Sequence, residues 1–162
     1  MIVDLPAAIE PELLYDLTYD ANSILVPINP SEIDVYSAAR FIADLLLVAQ
    51  LHLRDHRLGI IANRARANTR SYRMLMRFLN SLQIPVVTEL RDSQAYVAAA
   101  AQGMGVYDLP PHRVRKDIES MEGVVDWLDK WRIRKLDAVA PAGFEHVAGT
   151  QVFTPAHSRG DH

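Results

Sequence analysis

Short, continuous apolar runs alternate along the chain with longer stretches in which apolar residues recur every three or four positions. Ser23-Ile24-Leu25-Val26-Pro27-Ile28 is one such run; Leu58-Gly59-Ile60-Ile61-Ala62 and Ile84-Pro85-Val86-Val87 are two more. Runs rich in β-branched residues and without polar alternation suit strands of a parallel sheet covered on both faces. Ile2-Val3 reads as the tail of a fourth. The pattern predicts strands near 2–5, 23–28, 58–62 and 84–89.

Between the runs the period changes to that of a helix. Ser31 is placed to cap a first helix, with Glu32 and Asp34 in its first turn, where carboxylates suit the helix dipole; it extends to about Leu53. A second covers about Ser71–Leu82, with Tyr72, Leu75, Met76, Leu79 and Leu82 on one face. A third starts near Asp92-Ser93 and stops at Gly103, a suitable C′ glycine. The last follows Pro110-Pro111 and carries Val114, Ile118, Met121, Val125 and Leu128. Strands alternating with helices over short links predict an α/β fold: a three-layer α/β/α sandwich around a mainly parallel sheet. After Trp131 the period fails, so residues 1–131 read as one domain and 132–162 as a disordered tail.

Composition bounds the function without naming it. In 162 residues, 49% are apolar and 23% charged, which is ordinary for a globular domain. The net charge of −3 argues against a wholesale nucleic-acid binder and leaves room for a local basic patch. There is no cysteine, which removes disulfides and thiolate metal sites. No apolar run reaches the roughly 18 residues of a membrane span, and Met1-Ile2-Val3-Asp4 does not begin a secretory signal. The expectation is a cytoplasmic protein.

Four features carry candidate chemistry. Asp4 follows Ile2-Val3, so it would stand at the C-terminal end of a strand, where parallel sheets bind ligands. There it would support Mg²⁺, directly or through water; the plainer alternative is a turn cap. Asn63-Arg64 follows the second full run, and an Asn amide matches the edge of adenine, although a turn asparagine is the simpler reading. Residues 54–77 hold seven arginines against the single acid Asp55. Among them Arg70, Arg73 and Arg77 share a helix face, with Arg66 just ahead. Such a stripe suits phosphates of DNA or nucleotide, or is simply a solvated face. The six histidines include no HExxH pair, and the sequence holds no GxSxG, GxxxxGK(S/T) or GxGxxG. Gly103-Met104-Gly105 follows a helix and reads as its stop.

In order, Ile-Val-Asp-Leu-Pro-Ala (2–7), Ser-Ile-Leu-Val-Pro-Ile-Asn-Pro-Ser (23–31), Ile-Ile-Ala-Asn-Arg (60–64), Leu-Arg-Asp-Ser-Gln-Ala-Tyr-Val (90–97) and Gly-Met-Gly-Val-Tyr-Asp-Leu (103–109) resemble the ParA/MinD-type partitioning ATPases. The resemblance covers about residues 2–131 and lies in the order and spacing of these pieces. It implies a P-loop NTPase fold and a protein that segregates DNA or positions cargo. Its cofactors would be ATP and Mg²⁺. Its partners would be a second subunit, non-specific DNA on the nucleoid, and a ParB-like or cargo adaptor, with no membrane. By resemblance Asp4 matches the switch-II aspartate and Asn63, with Arg64, the base-contacting position. Thr88, Leu90, Arg91 and Asp92 would flank the adenine, and Arg66, Arg70, Arg73 and Arg77 would face DNA.

The departures are as specific. The family's first strand, phosphate loop, signature lysine and switch I precede the position matched by Met1, and Ala8 stands where the family often has glycine. Phosphoryl transfer depends on positioning and electrostatics at the phosphates. The expectation is therefore an incomplete ATPase, inactive alone. The alternative is a non-catalytic module that pairs with a full-length relative or with DNA. A nucleotide-binding regulator with weak base affinity is a third reading.

Overall fold

The structure is a computed structural model that describes residues 1–6 and 9–139. Three parallel strands, β1 (Ile24–Ile28), β2 (Leu58–Ala65) and β3 (Val86–Arg91), form one sheet in the order β1-β2-β3. Among the described residues five α-helices accompany them: α1 (Pro11–Thr18), α2 (Glu32–Leu47), α3 (Arg70–Ser81), α4 (Gln94–Ala100) and α5 (Pro111–Val139). The chain is thus α/β, with the strands close to the expected runs.

Alternation along β2 builds the layers. Successive side chains of a strand point to opposite faces. Leu58, Ile60 and Ala62 join Ala38, Ile42 and Leu45 of α2 and Leu75 and Leu79 of α3 in the main core. Gly59 faces the other way, onto Trp127 of α5. A Cβ there would lie 2.5 Å from Val87 Cγ2 and 3.1 Å from the indole ring, so only glycine lets α5 settle this close. The Trp127 indole N–H donates to Ser23 Oγ at 2.7 Å and ties the far half of α5 to the entry of β1. Helices therefore cover both faces of the sheet.

Local chemistry sets the ends. Ser31, Thr69 and Ser93 cap α2, α3 and α4 with their hydroxyls. After α4, Gly103 takes φ +66, Gly103 N–H bonds Ala100 O and Met104 N–H bonds Ala99 O, the paired closure of a Schellman stop.

Four expectations are corrected. Residues 1–6 form no strand: Ile2 is 92% exposed and Val3 is exposed too. Two apolar residues ahead of a proline, with no neighbouring strand to take their backbone groups, have nothing to pair with. Helix α2 ends at Leu47 and not near Leu53, because the chain turns into a left-handed conformation at Gln50 (φ 52). Strand β2 passes through Asn63 and ends at Ala65, with an irregular register between Ala62 and Ala65 and Arg64 at φ 48. Helix α5 continues past Trp131 to Val139; Ala8 and residues 140–162 lie outside the described residues. Helix α1 had no counterpart in the sequence reading. It opens on Pro11 and buries Leu14 and Thr18, four apart, on one side.

Candidate nucleic-acid interface

The C-terminal ends of the strands gather the polar residues. Asn63 donates from Nδ2 to Oδ1 of Asn29, just past β1, at 3.2 Å. Arg64, whose backbone is left-handed (φ 48), and Arg66 both reach Asp92 after β3. Arg64 Nε stands 3.4 Å from Oδ1, and Arg66 Nε bonds Oδ2 at 2.6 Å. The Arg66 hydrogen bond, reinforced by Arg64 against partial desolvation, holds the Asp92 carboxyl below its ordinary range.

Of the proposed nucleotide-contact set, the fold brings Asn63, Arg64 and Asp92 to one edge. Thr88 instead donates to Ser120 O of α5 at 2.7 Å, Leu90 is half-buried, and Arg91 turns to Asp117 of α5. Asp4 stands exposed on residues without secondary structure, so it does not end a strand. Among the described residues no group of three or more His, Asp or Glu side chains could hold a metal.

Helix α3 separates apolar from charged along its length. Leu75 and Leu79 are buried, while Arg70, Arg73 and Arg77 are exposed on the outer side. With Tyr72, Met76 and Asn80 these arginines line a shallow groove of about 350 Å³. Among the described residues no ion pair engages any of the three. Glu89, the nearest acid on β3, accepts from the Tyr72 hydroxyl at 2.7 Å. That hydrogen bond, with some burial, pushes the Tyr72 phenol up. Arg66, placed in this stripe by sequence, is held by Asp92 instead.

A second basic cavity, of about 430 Å³, opens on the other side of β3, lined by Arg91, His112, Arg113, Arg115 and Lys116. Under it lies Asp117, 0% exposed, which accepts from Arg91 Nε at 3.1 Å, from Arg91 Nη2 at 2.9 Å to each oxygen, and from Ser93 Oγ at 3.2 Å. Burial, with Asp117 nearby, raises the Tyr96 phenol, whose hydroxyl is enclosed without a hydrogen-bond partner. Sequence reasoning passed over this cavity, although it left a signal. Arg113, Arg115 and Lys116 sit in the opening turns of a helix with no acid in its first turn, where the dipole disfavours cations. A local rule broken this way marks a place to look for function.

No family model matches the chain, and no curated protein matches it significantly. Among the described residues no helix is long and apolar enough to cross a membrane.

Proposed function

We propose that this chain is a ParA-like partitioning module of the nucleoid that binds DNA without sequence preference through the outer face of α3, and that it does not hydrolyse ATP alone. The observation that carries the reading is the trio Arg70, Arg73 and Arg77, exposed along one groove and, among the described residues, without ionic partners. Phosphate contacts need exposed cations and carry no sequence information. In a chain of net charge −3, such contacts would be confined to local basic surfaces. The ParA resemblance supplies the cellular setting: a second subunit or full-length relative, and an adaptor that links DNA to cargo. The enzyme half of that resemblance is the weaker half, because Asp4 lies off the sheet and the chain holds no GxxxxGK(S/T) loop.

A gel-shift titration of linear duplex DNA at low salt tests the reading. Wild type should shift duplexes of unrelated sequence alike, and the combined Arg70→Glu, Arg73→Glu, Arg77→Glu variant should lose the shift. Equal binding by the two proteins would reduce the stripe to a solvated face. ATP turnover by the purified chain, abolished by Asp4→Ala, would restore the enzyme reading.

A further inference from the structure

The surface cavity at the start of α5 gathers cations from two elements. Arg91, Arg113, Arg115 and Lys116 line about 430 Å³ with no carboxylate among the lining residues. One of the four, Arg115, is partly offset by Glu119 at 3.5 Å on the exposed side of the helix. Convergent like charges repel, and an anion between them turns that repulsion into attraction.

The buried carboxylate beneath makes one of these cations different from the rest. Asp117 is fully enclosed, and enclosing a carboxylate is costly unless several donors satisfy it. Three do: Arg91 through Nε and Nη2, and Ser93. The two-point grip fixes the guanidinium plane. Among the described residues it leaves Nη1 without a hydrogen bond, on a side chain that is 47% exposed and lines the cavity. A guanidinium held in this way reaches an anion without first losing its own rotational freedom.

We propose that this cavity is a phosphate-binding site and that Asp117 is its positioning residue, acting through Arg91. The phosphate is a diester of the DNA backbone or a phosphate on a small molecule. The DNA source rests on the α3 reading and deepens it. Helix α3 begins just past the C-terminal end of β2, and α5 places Asp117 beside Arg91, the last residue of β3. The two basic surfaces thus share one edge of the sheet from opposite faces, and a duplex crossing that edge would meet both.

The test uses the full chain with labelled duplex DNA by anisotropy at two salt concentrations, and inorganic pyrophosphate by calorimetry. The variants are Arg113→Glu with Lys116→Glu, then Arg91→Gln, Asp117→Asn and the last two together. The Arg113→Glu, Lys116→Glu pair lies on the surface and should keep the fold. It should abolish pyrophosphate binding and lower the log K–log salt slope for DNA by roughly 0.9 per lost contact. Asp117→Asn should weaken binding on its own and add nothing in the Arg91→Gln background; this non-additivity is a signature that a merely structural role would not give. Pyrophosphate binding that vanishes in the pair, with DNA binding unchanged, keeps the site and assigns it a small phosphorylated ligand. Both ligands binding the pair as they bind wild type would overturn the proposal. So would an Asp117→Asn effect that persists in full without the Arg91 guanidinium. Loss in the α5 pair while the α3 triple variant binds normally would refute the α3 reading and leave this one standing.

Discussion

Arginines on the two sides of β3 live under opposite rules. On α3, Arg70, Arg73 and Arg77 stand in the open without an ion pair among the described residues. Across the sheet, Arg91 is clamped in two places by a carboxylate that solvent does not reach. The first set costs the fold almost nothing and adds little to its stability. The second is part of the fold. A count of cations in a sequence therefore says little about which are available to a ligand. Of the seven arginines between 54 and 77, Arg57 spends its guanidinium on the carbonyls of Thr18, Tyr19 and Ala21 at the end of α1, and Arg64 and Arg66 share Asp92.

The sharpest break between the two regions is in stability. Arg91→Ala leaves the Asp117 carboxylate enclosed with only Ser93 donating, and an uncompensated buried charge costs about 3–5 kcal/mol. We expect the lower end, because Ser93 remains. Asp117→Ala should cost less, since the half-exposed Arg91 can rehydrate. By contrast, Arg70→Ala, Arg73→Ala and Arg77→Ala should each stay within about 0.5 kcal/mol, as surface changes do. Urea unfolding of the five variants checks the order; equal costs on both sides would dissolve the contrast.

Gly59→Ala separates the docking of α5 from its ionic clamp. Its Cβ meets Val87 Cγ2 at 2.5 Å and the Trp127 ring at 3.1 Å, and forced overpacking of this kind costs about 1–3 kcal/mol. The loss should appear in the thermal midpoint with quenching or shift of tryptophan fluorescence, while charge-dependent binding per folded molecule is retained. Thr69→Ala should cost about 1 kcal/mol by removing the cap that accepts from Tyr72 N–H at 3.1 Å. It loosens the first turn of α3 and, with it, Arg70.

The smallest effect concerns Asp92. Its folded carboxyl lies below the ordinary 3.8, chiefly through Arg66. The pairing is therefore complete above pH 3.8 and is lost only as pH falls through that lower folded value. Near neutrality acid–base change at Asp92 should leave DNA binding flat. Asp92→Asn should instead release Arg64 and Arg66 and tighten low-salt binding a few-fold. A pH profile between neutrality and mild acid, with Asp92→Asn alongside, checks both.

Much of the sheet was legible because buried parallel strands need continuous apolar runs, and the runs 23–28, 58–62 and 84–87 are close to the strands found. The stripe on α3 was legible because i, i+3, i+7 spacing is a property of the local sequence. What the sequence hid was pairing at a distance. Asp117 lies 26 residues from Arg91, and nothing near either residue says that they meet. The strand expected at 2–5 failed for the reverse reason. Ile2-Val3 looks like a strand locally, but a strand exists only where a neighbour takes its hydrogen bonds, and residues 1–6 have none in this sheet. Helix α1 was missed because its core contribution is just Leu14 and Thr18.

The central claim is that the α3 arginines neutralise DNA phosphates, and the salt dependence of binding measures this directly. Affinity for a fixed duplex would be followed over a salt series for wild type and for the Arg70→Glu, Arg73→Glu, Arg77→Glu variant. Each phosphate contact contributes roughly 0.9 to the slope of log K against log salt. The wild-type slope should fall by roughly 2–3 in the variant, as expected for two or three lost contacts. Equal slopes for the two proteins would contradict it, because the arginines would then displace no counterions.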